Sequence, residues 1–157
     1  MLIKQLNRDE AETVYVSVQN VAGAKVSVGQ MLCYDWQATS SFGNAVTKPA
    51  VSNTTLFAGV VTGGTDDNPS DIADDAYGLL MASGPCTSVA YNVATTSVSA
   101  AGLWLLPIAA QYSGINTQIS GKALSVVSES YYLNKGAIVL ENDLSASGFT
   151  AAFVRAL

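Results

Sequence analysis

The apolar residues of this chain occur in short runs, and turn-forming residues end almost every run within a few positions. Gly, Pro, Asn and Ser separate eight to eleven such stretches, and several of them alternate apolar with polar residues. Alternation with a period of two places every second side chain on one face of a β-strand. No stretch has a helical period over a convincing length. The pattern predicts an all-β fold, either a short-stranded β-sandwich or a β-barrel.

The segment 56–92 is predicted to supply the centre of the sheet. It reads as an apolar strand at 56–61, an acidic loop, and a hairpin whose strands 77–83 and 86–92 are joined by a turn at Gly84 and Pro85. Ahead of it, Val14, Val16 and Val18 alternate with polar residues and predict a half-buried strand. Gly29 lies between two short strands, where we expect a positive φ.

The predicted domain organisation is simple. Residues 1–12 form an N-terminal arm, and residues 13–157 form a single β-rich domain or, alternatively, two small lobes joined near 113–122. Residues 123–135 combine helical spacing with pairs of β-formers, and we favour a strand there. The arm either stays mobile or orders against a neighbouring molecule.

Charged side chains are scarce. They make up 12% of the chain, about half the usual share, and ten of the nineteen lie in two stretches, 4–12 and 66–75. The remaining surface is therefore rich in small neutral side chains that lose little hydration when another protein covers them. This composition favours an assembling protein over a charge-poor monomer.

The net charge of −5, with no basic stripe, disfavours nucleic-acid binding through phosphates. The first residues lack the apolar run of a signal peptide. The most apolar segment, 100–110, contains Gly102 and Pro107 and is too short to cross a bilayer. We therefore expect a protein that is made in the cytoplasm, with neither nucleic acid nor membrane among its partners.

The sequence offers no constellation for catalysis. Histidine is absent, which excludes Ser-His-Asp and Cys-His mechanisms and leaves too few ligands for zinc. Cys33 and Cys86 are expected to be buried thiols, or a disulfide if the fold brings them together. Asp66, Asn68 and Ser70 begin like a calcium loop, but the glycine and the closing acid are missing, which favours a solvated loop tip. We expect no enzyme activity, no cofactor and no metal.

Three runs taken in order resemble head decoration (capsid cement) proteins of tailed bacteriophages. They are VGQML at 28–32, FAGVV at 57–61 and IADDAYGLLMASGPC at 72–86, followed by GKAL at 121–124 and FVRAL at 153–157. The resemblance implies a β-rich virion protein that binds the outer surface of the assembled capsid, often as a homotrimer. Such a protein bridges capsomers and stabilises the head, with the major capsid protein as partner; a homodimer is the alternative oligomer.

The N-terminal arm is the predicted contact with the capsid or with a neighbouring subunit, because it is dense in charge and lies at the end of the chain. Its candidate contact residues are Leu2, Ile3, Lys4, Leu6, Arg8 and Glu10.

Two other functions fit the same composition. One is a tail, baseplate or fibre component, although the repeats or heptads usual in fibres are not visible. The other is a carbohydrate-type ligand-binding module that would stack sugars on some of Tyr34, Trp36, Tyr77, Tyr91 and Trp104. For Trp36 and Trp104 we favour anchoring roles in the core or an interface.

Overall fold

The computed structural model describes residues 12–38, 43–50, 56–64, 70–92, 104–105, 107, 136–141 and 147–156. These residues form ten β-strands and contain no helix, which confirms the predicted all-β class. The strands are β1 (Val14–Asn20), β2 (Val26–Ser27), β3 (Met31–Tyr34), β4 (Ala45–Thr47), β5 (Phe57–Gly63), β6 (Asp71–Ile72), β7 (Tyr77–Asn92), β8 (Trp104–Leu105), β9 (Gly136–Val139) and β10 (Ser147–Arg155).

Five of the strands close into a ring. The pairing runs β1, β4, β3, β5 and β7, and β7 pairs back with β1. Only the β1–β4 contact is parallel, and it involves just Gln19 and Asn20 of β1. The ring is therefore a small barrel. The second half of β7 continues the sheet outward through β10, β9 and β8.

The predicted hairpin at 77–92 is wrong, because this segment is one strand of sixteen residues. Its first half pairs with β1 and β5, and its second half pairs with β10. Gly84 does take a left-handed φ of +128°, but the backbone of Thr13 lies against it, and the chain continues instead of reversing. Pro85 lies opposite Phe153, one pair away from the register shift between Thr150 and Ala152 of β10, and proline in a strand is typically found next to such an irregularity.

The other strand predictions that fall on described residues agree with the structure. Val18 is buried while Tyr15 and Ser17 are exposed, as the alternation in β1 predicts. Gly29 has a φ of +88°, and an added Cβ would lie 2.8 Å from the Phe149 ring, so the position requires glycine. The two-residue strand β6, which pairs with β2, was not predicted.

Two apolar cores lie on opposite sides of β5. Ala58 and Val61 point into the barrel, together with Leu32 and Leu80. Phe57 and Val60 point outward into a second core, which strands β9 and β10 cover with small apolar residues such as Ala137, Val139, Ala152 and Val154. A strand that is buried on both faces reads as a continuous apolar run, as 56–61 does.

The N-terminal arm lies outside the described residues, apart from Glu12. So do the segments 113–122 and 123–135. The division into arm and domain, the alternative of two lobes and the strand at 123–135 stay predictions.

Candidate interaction surfaces

The two cysteines are buried and unpaired, so the disulfide alternative does not hold. Burial raises the pKa of the Cys33 thiol to about 12. Burial also raises the pKa of Cys86, partly offset by a backbone hydrogen bond at Ser88. A thiol held in its neutral form is a poor nucleophile and a poor metal ligand. Both cysteines therefore act as small apolar core residues, as the sequence predicts.

Within the described ranges there is no group of three or more side chains able to hold a metal ion. Asp66 and Asn68, the start of the calcium-like pattern, lie outside those ranges. Two of the described acidic residues of the central loop have structural partners. Asp71 bridges to Lys25 at 3.0 Å, and Asp74 Oδ1 accepts the Gly23 N–H at 2.8 Å. Neither pair forms a reactive site.

The predicted contact residues Leu2, Ile3, Lys4, Leu6, Arg8 and Glu10 all lie outside the described part of the chain. The structure does place the point from which the arm leaves. Glu12 and Thr13 are exposed, and Thr13 lies against Gly84, where β7 passes from the barrel to the outer sheet.

A first exposed apolar surface, the tyrosine strip, consists of Tyr15, Tyr77 and Leu79 on the outer wall of the barrel. Their exposed fractions are 52%, 56% and 46%. The β1–β7 register places them on one face of the sheet, since Tyr15 lies opposite Met81, two positions along β7 from Leu79. Ser17 and Gln19 are the cross-strand partners of Leu79 and Tyr77, so the strip alternates apolar with neutral polar side chains.

A second exposed apolar surface, the β9–β10 face, consists of Ile138, Leu140, Phe149 and Phe153. Phe149 is 62% exposed and Leu140 is 55% exposed. Phe153 lies directly opposite Ile138, and the Leu140 N–H donates to the Ala151 carbonyl at 2.9 Å, so these side chains share the outer side of the sheet. Among the described residues around this face, charge occurs at Arg155, which is exposed, and at Glu141, whose carboxylate accepts a hydrogen bond from the Thr150 hydroxyl at 2.9 Å.

The aromatic residues considered for sugar stacking lie partly in the core and partly on the surface. Tyr91 is buried and belongs to the outer core, so it offers no stacking face. Tyr34 is half-buried. Trp36 is 66% exposed, which makes a core role for it wrong and leaves the interface role as a prediction. Trp104 begins β8.

The two surfaces were missed by the sequence reasoning for different reasons. The outward position of Tyr15 follows from alternation alone, but its meeting with Tyr77 and Leu79 depends on a pairing 60 residues apart. The odd-numbered positions 149, 151, 153 and 155 of β10 lie on one side of the strand, and this period of two is the signal in the sequence that could place Phe149 and Phe153 on one face.

No helix in the described ranges is long and apolar enough to span a membrane. No protein-family model matches the chain, and searches of curated proteins and of solved structures return no match.

Proposed function

We propose that this chain is a virion structural protein that binds the outer surface of a bacteriophage capsid and stabilises the head by bridging capsomers. It is made in the host cytoplasm, acts on the capsid exterior and makes or breaks no covalent bond. Two things support the proposal: the ordered resemblance to head decoration proteins, and a fold that leaves two apolar sheet surfaces exposed.

The observation that carries the proposal is the β9–β10 face. Monomeric proteins rarely leave a continuous apolar patch exposed, and such a patch with a polar rim is typical of an interaction site. Phe149 and Leu140 supply the apolar centre, while Glu141 and Arg155 supply the margin. The face lies on paired strands, so it is already ordered before binding, which reduces the entropic cost of association.

The N-terminal arm provides a second attachment in this proposal, through Leu2, Ile3, Lys4, Leu6, Arg8 and Glu10. It leaves the domain at Glu12 and Thr13, just before β1, whereas the β9–β10 face lies on other strands. Two separate attachments allow one molecule to contact two capsid subunits. Repetition of weak contacts over a lattice then increases the overall affinity.

The test is co-sedimentation of the purified chain with procapsids and with expanded heads, assembled from the major capsid protein of the same genome. We expect saturable binding to heads, and an at least tenfold weaker affinity for Leu140→Lys, because the charge must be desolvated at the interface. Gln37→Lys adds the same charge to an exposed turn and should bind like the unmodified chain.

Binding to neither form of the head would contradict the proposed function. Equal binding by Leu140→Lys would exclude the β9–β10 face as the contact while leaving the function in place. Full occupancy after deletion of residues 2–12 would exclude the arm. Binding to tail or baseplate assemblies, or to glycans, in place of heads would favour one of the alternative functions.

A further inference from the structure

The tyrosine strip belongs to a part of the barrel wall that the outer sheet leaves uncovered. Tyr15 lies directly opposite Met81, so the two side chains are on the same face of the sheet. Met81 is 5% exposed because it packs among residues of the outer core, whereas Tyr15 is 52% exposed. The cover therefore ends between these two residues, and the exposed wall continues from there to Tyr77.

The N-terminal arm joins the domain at the same end of the strip. Thr13 directly precedes β1, and its Cα lies 3.0 Å from the position that a Cβ on Gly84 would occupy. Thr13 is also only two residues from Tyr15. The arm therefore starts next to the first residue of the strip.

The arm is long enough to follow the whole strip. Tyr77 pairs with Gln19, six residues from Thr13, which corresponds to about 20 Å at roughly 3.3 Å per residue. Eleven residues precede Glu12, and they span at most about 36 Å when extended. A turn at 9–12 leaves residues 2–8, whose extended length of about 23 Å matches the strip.

The charges of the arm and of the strip are complementary in this arrangement. The far end of the strip is acidic, because Asp74 and Asp75 are exposed and lie just before β7 begins. Lys4 is in the half of the arm that reaches this end, whereas the acidic residues of the arm lie within 9–12, at the turn. Opposite charges that approach each other in this way favour the folded-back arm.

We propose that residues 2–8 fold back over the tyrosine strip of the same chain and extend the cover of the barrel wall. Leu2, Ile3 and Leu6 supply the apolar side chains for this contact. The contact is intramolecular, so a small apolar area is sufficient, because the covalent link gives the arm a high effective concentration. The inference concerns the free chain and does not rest on the proposed capsid function. Contact of the arm with a head would then uncover the strip.

The test is disulfide formation within the full-length chain. Gln5→Cys is combined either with Ser17→Cys, on the strip, or with Thr87→Cys as the matched control. Both partner positions are exposed. They lie about 10–13 Å from the exit of the arm, in opposite directions along the sheet from Thr13 and Gly84, so an undocked arm reaches both. The native cysteines are buried and do not compete.

We expect the disulfide of the Ser17→Cys pair to form at least about tenfold faster than that of the Thr87→Cys pair, at a rate independent of protein concentration. Leu79→Lys should reduce this difference to less than about threefold, because it places a charge in the apolar contact and repels Lys4. Gln37→Lys adds the same charge to an exposed turn and should leave the difference unchanged.

Tyrosine nitration measures the same cover without a substitution on the strip. Deletion of residues 2–11 should raise the nitration rates of Tyr15 and Tyr77 at least about threefold, because the deletion removes the docked state that protects them. Tyr34 is half-buried at the end of β3 and should react at the same rate in both proteins. Mass spectrometry of peptides gives the rate at each tyrosine.

Equal cross-linking rates for the two cysteine pairs would overturn the inference, and so would a faster reaction at Thr87→Cys. A disulfide that forms between chains would overturn it too, because another copy would then cover the strip. A rate difference that survives Leu79→Lys, or nitration of Tyr15 and Tyr77 that the deletion leaves unchanged, would place the arm elsewhere. None of these outcomes depends on binding to heads, so failure here leaves the proposed function in place.

Discussion

At the scale of single residues, Asn20 joins three segments of the barrel. Its Nδ2 lies 2.9 Å from the Ala24 carbonyl oxygen and 3.0 Å from those of Ile72 and Ala73. Its Oδ1 accepts the Ala22 N–H at 3.0 Å. The Asn20 side chain is fully buried, and so is its bond to the Ile72 carbonyl, where no water can replace it.

Replacing this amide should destabilise the fold strongly. Asn20→Ala leaves the buried Ile72 carbonyl without this donor and removes the bonds to Ala22, Ala24 and Ala73, and we expect a loss of about 2–4 kcal/mol in the free energy of unfolding. Gln19→Ala is the matched control. It removes one amide bond, at 3.2 Å to the Asp75 carbonyl in an exposed position, and should cost about 0.5 kcal/mol or less. Urea denaturation measures both, and similar losses would contradict the role assigned to Asn20.

The buried thiol of Cys33 makes stability depend on alkaline pH. Burial raises its pKa from the ordinary value of 9.0 to about 12. The unfolded chain therefore loses this proton first, and stability falls as the pH rises from about 9 to about 12. The expected slope from this group is about 1.4 kcal/mol per pH unit.

The free energy of unfolding of Cys33→Ala, measured beside that of the unmodified chain, isolates the slope due to this thiol. Both proteins contain the same tyrosines and lysines, so the titration of those groups cancels in the difference. Below pH 9 the free energy of unfolding of the two proteins should differ by a constant amount, the cost of the smaller side chain. Above pH 9 the difference should shrink as the pH rises. Equal slopes at all pH values would show that the thiol ionises without a penalty in the folded state.

At the scale of elements, the strands that the sequence identifies are those with their own local signal. The valine alternation of β1 and the apolar run of β5 both predict burial that the structure confirms. Strand β7 lacks such a signal at its middle. Gly84 and Pro85 have the local chemistry of a turn, but β1, β5 and β10 pair along the whole segment and keep it extended. Tertiary pairing therefore overrides the turn preference.

The same limit applies to β6. Two residues carry no detectable period, and Asp71–Ile72 is a strand only because β2 lies beside it. Prediction of the two exposed surfaces is limited in the same way. Alternation predicts which residues point outward, but only the register shows which of them meet.

The packing of β6 on β7 gives a test at this scale. A Cβ added to Gly78 would overlap the Cδ1 and Cγ1 atoms of Ile72, which is fully buried in the barrel core. We expect Gly78→Ala to cost about 1–3 kcal/mol through overpacking, and Ile72→Ala to cost about 2–5 kcal/mol through a cavity. The double variant should be more stable than the sum of the two losses predicts, because the new methyl group enters the space that Ile72 leaves.

A double-mutant cycle by urea denaturation measures this coupling. We expect a favourable interaction energy of at least about 1 kcal/mol. Additive losses would mean that Gly78 is not required by the contact with Ile72. Gly23→Ala measures the cost of backbone strain alone, since Gly23 has a φ of +70° and an added Cβ would meet no atom within 4 Å.

At the scale of the whole molecule, the barrel and the outer sheet share β7, and β5 contributes side chains to both cores, so they are not independent units. The composition indicates an assembling surface before any fold is known, because few charges have to lose water. The location of that surface could not be predicted, since it depends on where the outer sheet stops covering the barrel wall. Met81 lies under that cover, whereas Leu79 and Tyr77 of the same strand face do not.

A last prediction concerns salt and the binding of the chain to heads. The apolar centre of the β9–β10 face, Leu140 and Phe149, carries no charge, so screening removes no ion pair there. In a variant that lacks residues 2–12, the affinity for heads should therefore change by less than about threefold between roughly 0.05 and 1 M NaCl. Co-sedimentation at several salt concentrations measures this directly. A tenfold weakening by salt would mean that ion pairs hold this variant on the shell, and the contact would then have to involve charged residues outside the β9–β10 face.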